Sequence, residues 1–244
     1  MLSEKGWVRA AKGHDVRPQE LNYCTGDEFA QAAEGRSNDV LVFLDSDGRS
    51  YNALAHTLPS ARSQGEPLSG RFKAKNDARF VGVLMGSGDS KVLLASNAGY
   101  GFVGTLNDMV TKNKAGKACL SVPSGGIALP PVMIEPSLHE AENANVAAVT
   151  NQGRMLVFAL KDLPELAKGK GNKLLNVPSA AFKSGEEELV GAVVVGEKDE
   201  LLVHAGQRHL RLKAKDLESY AGERARRGRR LPRGFQKVDR LSVE

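Results

Sequence analysis

The amino-acid sequence predicts an all-β ring of five propeller- or pinwheel-like blades. Three observations lead there. A turn glycine recurs at Gly6, Gly48, Gly99, Gly153 and Gly206, at separations of 42, 51, 54 and 53 residues. An apolar run precedes most of these glycines, and a second strand-like run follows each. Nine or ten residues beyond each glycine stands a short polar residue followed by an apolar one. A unit of about 50 residues cannot cover its own apolar face, so such units stack and bury one another. The repeats leave open whether the ring closes. No Trp-Asp dipeptide occurs, which disfavours an ordinary WD40 propeller.

The leading strands of the hairpins are VLVFL at 40–44, VLLA at 92–95, VAAV at 146–149 and LLV at 201–203. Asp47-Gly48, Ala98-Gly99, Gln152-Gly153 and Ala205-Gly206 mark tight turns, because glycine reaches positive φ without strain. The returning strands are WVR at 7–9, SY at 50–51, FV at 102–103, MLVF at 155–158 and HLRL at 209–212. The last alternates polar and apolar, the period of a strand. Asp15-Val16, Thr57-Leu58, Asp108-Met109, Asp162-Leu163 and Asp216-Leu217 predict a side-chain cap or turn at each strand exit. Polar, glycine-containing loops follow at 60–65, 111–117, 167–173 and 222–230. The last three lead into strands expected to end at Val122-Pro123, Val177-Pro178 and Leu231-Pro232. The chain reads as one domain, 1–244, with approximate repeats 1–35, 36–78, 79–135, 136–190 and 191–244.

The stretch NAGYGFVG at 97–104 contains a literal G-x-G-x-x-G. A dinucleotide fingerprint would need a helix opening from it, and Thr105-Leu-Asn-Asp108 opens no periodic helix. Gly99 is instead one copy of the repeated turn glycine. A hairpin and the start of a strand are expected here.

Net charge is +5, from 34 basic and 29 acidic residues. The segment GERARRGRRLPR at 222–233 holds six Arg and one Glu and accounts for all of it. Positive charge is therefore placed locally, as a footprint for a polyanion would be. Nothing resembles a signal peptide, and aliphatic runs such as VVV at 193–195 are too short to span a bilayer. Cys24 and Cys119 form no disulfide framework or metal spacing and are expected as buried thiols in a reducing cytoplasm. His14, His56, His139, His204 and His209 show no ligand pairing, so no metal or catalytic site is expected. Tyr23, Tyr51, Tyr100 and Tyr220 read as strand or packing residues.

Gly6-Trp-Val-Arg-Ala-Ala-Lys-Gly-His-Asp15, Leu58-Pro-Ser-Ala-Arg-Ser-Gln-Gly-Glu-Pro67, Lys168-Gly-Lys-Gly-Asn-Lys173 and Gly222-Glu-Arg-Ala-Arg-Arg-Gly228 resemble a specific family. It is the C-terminal domain of the A subunit of bacterial DNA topoisomerase IV, related to the gyrase A C-terminal domain. The resemblance spans nearly the whole chain. It implies a β-pinwheel whose blades exchange a strand and whose basic rim bends double-stranded DNA. Gyrase carries a Gln-Arg-Arg-Gly-Gly-Lys-Gly box for DNA wrapping; the nearest loop here, 60–67, has one Arg and an added Glu. That departure points to decatenation and relaxation rather than supercoiling. The resemblance further implies a non-catalytic fragment without a cofactor of its own, the catalytic tyrosine, ATP and Mg belonging elsewhere in the enzyme. Implied partners are the N-terminal part of the same polypeptide, the ATPase B subunit in a heterotetramer, and an SMC-like condensin. Implied localisation is cytoplasmic and nucleoid-associated.

The candidate DNA-binding residues are Arg9, Lys12, Arg49, Arg62, Lys112, Lys114, Lys117, Arg154, Lys168, Lys170, Lys173, Arg224, Arg226, Arg227, Arg229 and Arg230. Equivalent slots of a ring lie on one rim, and glycines among them let backbone N–H groups approach phosphate. No aromatic interleaves the lysines in sequence, so phosphate contact is expected and base stacking is not. The competing reading is a propeller that docks an acidic protein partner on the same rim.

Overall fold

A computed structural model describes residues 1–13 and 15–244; His14 lies outside the described residues. Five small antiparallel sheets succeed one another along the chain and form a five-bladed β-propeller. Each blade is built on a hairpin. The hairpins pair Leu2–Ser3 with Trp7–Val8, Val40–Asp45 with Arg49–Ala53, and Lys91–Ala95 with Tyr100–Thr105. Asn145–Thr150 pairs with Arg154–Ala159, and Leu201–Ala205 with Arg208–Leu212. These are the strands expected from the glycine register, and NAGYGFVG is a hairpin turn with Gly99 at φ +86°. One short helical turn, Leu106–Met109, follows it, closed by reciprocal bonds between Thr105 and Asp108.

Every hairpin gains an outer strand from further along the chain. These strands are Phe29–Gln31, Phe80–Gly86, Val132–Ile134, Leu189–Val195 and Arg240–Val243, in blades 1 to 5. On its opposite side, the hairpin of blades 1 to 4 receives a two-residue strand from the next repeat. Glu66–Pro67 joins blade 1, Lys117–Ala118 blade 2, Asn172–Lys173 blade 3 and Arg229–Arg230 blade 4. The sequence boundaries at 78/79 and 190/191 differ from the blades, because Phe80–Gly86 completes blade 2 and Leu189–Val195 completes blade 4. The strands expected to end at proline stop short of it, at Ala118, Lys173 and Arg230, so that the chain can leave the rim and turn into the next blade.

The core lies between blades. Four apolar clusters join blade 1 to 2, 2 to 3, 3 to 4 and 4 to 5. Among the described residues no cluster and no strand pairing joins blade 5 to blade 1, and blade 5 keeps three strands. Between blades 1 and 2, Tyr51 packs on Phe72 and Phe80 with ring centroids 5.1 and 5.4 Å away. Tyr51 donates its hydroxyl to Asp45 at 2.8 Å, and the other Asp45 oxygen accepts the N–H groups of Asp47 and Arg49 across the turn. Ser3 and Thr150 hold the same slot in blades 1 and 4, accepting from Trp7 and Arg154. Burial raises the Asp45 carboxyl above its ordinary value despite these bonds.

Cys119 is a buried thiol as expected; burial pushes it up to about 11, and it donates to the Gly48 carbonyl. Cys24 is only half-buried, facing Gln64 at 3.4 Å, because it sits in a strandless loop outside the blade core.

Candidate nucleic-acid interface

The four basic loops are the crossings that carry the exchanged strands. The loop at 60–65 precedes Glu66–Pro67, 111–117 runs into Lys117–Ala118, 167–173 into Asn172–Lys173, and 222–230 into Arg229–Arg230. The repeated slot seen in sequence is thus one structural position, the edge of each blade where the next repeat reaches back. A crossing has few apolar partners, so its side chains are polar and project outward.

The sixteen candidate cations divide into two groups by what they touch. Lys12, Arg62, Lys112, Lys114, Lys168 and Arg230 are exposed. Among the described residues their side chains have no hydrogen-bond or ion-pair partner, nor does that of the half-buried Lys117.

The remainder are engaged within the domain. Arg9 is only 4% exposed; it donates to the Ser63 carbonyl at 3.0 Å and lies 4.5 Å from the Tyr23 ring centroid. Its other terminal nitrogen is buried and has no partner among the described residues. Arg49 donates to the carbonyls of Ala115 and Gly116 at 2.9 and 2.7 Å. Arg154 reaches the Gly228 carbonyl at 3.5 Å, and Arg224 the Lys173 carbonyl at 2.7 Å. Arg9, Arg49, Arg154 and Arg224 therefore latch the crossing loops, a role that charge counting along the sequence could not reveal. Lys170 and Lys173 flank the Tyr100 ring at 4.3 and 5.7 Å, a cation–π latch in the same slot. Tyr100 does interleave these lysines in space, though it is about 70 residues away in sequence.

Arg226 pairs with Glu223 at 2.7 Å, and Arg229 donates to the Ser219 carbonyl at 2.9 Å. Arg227 makes a forked pair with the Glu187 carboxylate, whose side chain is 4% exposed. In the loop most like the gyrase box, Glu66 pairs with Arg71 and leaves Arg62 free. Among the described residues no cluster of His, Cys, Asp or Glu could hold a metal, and no helix is long and apolar enough to cross a membrane.

A rim of this kind holds charges on separate blades of one packed body. Such charges can contact successive phosphates without reading bases. Blades that each borrow an edge strand from the following repeat define the class: a β-pinwheel, the strand-exchanged form of the propeller.

A family model described as the DNA gyrase C-terminal domain, beta-propeller, matches residues 144–196, most of blade 4. The chain is 51% identical over all 244 residues to the A subunit of DNA topoisomerase 4 from Pseudomonas aeruginosa and 47% identical to that from Escherichia coli K12. It spans 32% of the length of each. Among solved structures it is similar to the E. coli ParC C-terminal domain, with TM-score 0.83 and 47% identity over 100% of this chain and 96% of that one. The chain belongs to the family of C-terminal domains of the topoisomerase IV A subunit.

Proposed function

We propose that the chain is a non-catalytic module that binds double-stranded DNA on its rim and bends it for a topoisomerase IV that decatenates and relaxes DNA. The observation that supports this most is the free cations: Lys112, Lys114, Lys168 and Arg230 stand exposed and, among the described residues, unpaired on the crossings of three successive blades. Contacts separated on a rigid curved body favour a bent duplex over a straight one. The module has no cofactor of its own; ATP, Mg and the catalytic tyrosine are supplied by the rest of the enzyme, in a heterotetramer with the ATPase chains. Action on the nucleoid in the cytoplasm, and contact with an SMC-like condensin, complete this reading.

A mobility-shift titration of mixed-sequence duplex tests it. Each phosphate contact contributes a slope of about −0.9 in log K against log salt, so about four contacts lower affinity by about two orders of magnitude between 50 and 200 mM salt. A flat salt response, or tight binding to an acidic protein with none to DNA, would support the docking module instead.

A further inference from the structure

The four exchanged strands offer an internal comparison at one position. The first residue of the returning hairpin strand faces a residue of the exchanged strand directly across the ladder. In blade 1 the pair is Trp7 and Pro67; in blade 2, Arg49 and Ala118; in blade 3, Tyr100 and Lys173. Each of these pairs contains at most one cation. In blade 4 the pair is Arg154 and Arg230.

Directly opposed side chains point to the same face with Cβ atoms about 5 Å apart, and like charges there are destabilising. The nearby anion, Glu187, offsets this only in part, its attraction for Arg154 being weaker than the repulsion from Arg227 or from Arg230. Both oxygens of Glu187 are taken by Arg227, which itself stands close enough to Arg154 to repel it. Burial, Arg227 and Arg230, in that order, hold Arg154 below the ordinary arginine value. Arg154 spends one terminal nitrogen on a long 3.5 Å contact to the Gly228 carbonyl, while Arg230 is exposed and spends none among the described residues. Two guanidinium-bearing residues thus stand directly opposite each other across the ladder, close enough for Arg230 to repel Arg154, where each sibling pair includes a neutral residue.

We infer that Arg154 and Arg230 form a two-armed clamp for a single DNA phosphodiester and make the strongest individual contact of the rim. An anionic phosphate removes the repulsion and accepts from both guanidinium groups, so its binding free energy includes the relief of a penalty that the free domain carries. This inference rests on the reading of the rim as a DNA surface.

The test compares Arg230→Gln with Lys112→Gln, an equal loss of charge on the crossing into blade 2. Affinity for a mixed-sequence duplex is measured across a salt series, and the melting temperature of each free protein is recorded. Arg230→Gln is expected to weaken binding by about tenfold while reducing the salt slope by less than the roughly 0.9 of a whole phosphate contact, because Arg154 still meets the phosphate. Lys112→Gln is expected to weaken it about threefold or less. The free Arg230→Gln domain melts no lower than the parent, since a like-charge opposition has been removed. Equal losses in the two variants, or a lower melting temperature for Arg230→Gln, overturn the clamp while the DNA reading stands. A parent protein that shows no salt-dependent DNA binding overturns both.

Discussion

Leu174 donates its backbone N–H to the carbonyl of Gly99 at 2.7 Å, and its side chain is fully buried beside that turn. The same bond joins Leu68 to Gly6, Leu120 to Gly48 and Leu231 to Gly153, and each of these leucines is buried. The turn glycine of one blade is thus the socket for the leucine that follows the exchanged strand from the next. This explains why glycine recurs in the sequence for two reasons at once. The turn needs positive φ, and at Gly48, Gly99 and Gly153 the returning chain also occupies the space of a side chain. A Cβ on Gly48 would lie 2.0 Å from the Leu120 carbonyl oxygen, and one on Gly153 2.4 Å from that of Phe235. Gly206 turns without such a neighbour, since blade 5 receives no exchanged strand.

Gly48→Ala and Gly206→Ala should therefore differ. Both positions have positive φ, +79° and +57°, and an alanine there costs about 1–2 kcal/mol from backbone strain alone. Gly206→Ala meets nothing within 4 Å and should cost no more than that. Gly48→Ala must in addition displace the crossing strand, bringing the loss to about 3 kcal/mol or more. Urea denaturation of the two variants checks the ranking; equal losses would show that the turn glycine is not a socket.

Leu174→Ala should destabilise the domain by about 2–5 kcal/mol, the range for emptying a fully buried leucine site. Leu54, at 58% exposed, is the control: Leu54→Ala should stay within about 0.5 kcal/mol. A Leu174→Ala variant as stable as the Leu54→Ala one would mean that the exchanged strand adds nothing to the core.

Asp45 sets the sign of one pH effect. Its folded carboxyl is raised by burial, so the native state holds the proton more tightly than the unfolded chain. The parent should consequently gain stability relative to Asp45→Asn as pH falls from neutral through the raised folded value. The gain ends near the unfolded aspartate value of about 3.9. Paired chemical denaturation at pH 7 and at about pH 4.5 measures this difference. A parent that loses ground to Asp45→Asn on acidification would show that its three hydrogen bonds outweigh burial.

Much of the architecture was legible because the hairpins repeat. An apolar run, a glycine and a second run recur at nearly fixed spacing, and the structure pairs those runs. The outer strands were harder to see. Val132–Ile134 and Phe29–Gln31 are three residues long, too short to show a period of two, and they pair with hairpins begun about 25 to 40 residues earlier. Strand exchange was invisible in composition, since Asn172–Lys173 is a strand only because Tyr100–Thr105 lies beside it. For the rim, the sequence located the crossings but could not separate latches from free charges. Arg49 and Lys112 look alike until the carbonyls of Ala115 and Gly116 are placed around Arg49.

That separation dictates which residues should test bending. Lys170 and Lys173 are unsuitable, because removing them also strips the cation–π contacts from Tyr100. Lys112, Lys114 and Lys168 are exposed and unpaired among the described residues, and they lie on the crossings into two different blades. Replacing all three by Gln should leave the melting temperature nearly unchanged, since exposed loop substitutions stay within about 0.5 kcal/mol each. DNA affinity should fall, and the salt slope should drop by up to about 2.7, the share of three phosphate contacts. Bending should fall as well, because a bend is held only where separated contacts pull on one duplex. Energy transfer between dyes on the two DNA ends reports the angle at saturating protein. The opposite arm replaces Arg229 and Arg230 by Gln, leaving the lysines in place; it should weaken binding while retaining part of the bend. If the lysine variant bends DNA as fully as the parent and the arginine variant abolishes all binding, the contacts reside in one basic segment and the multi-blade rim is wrong.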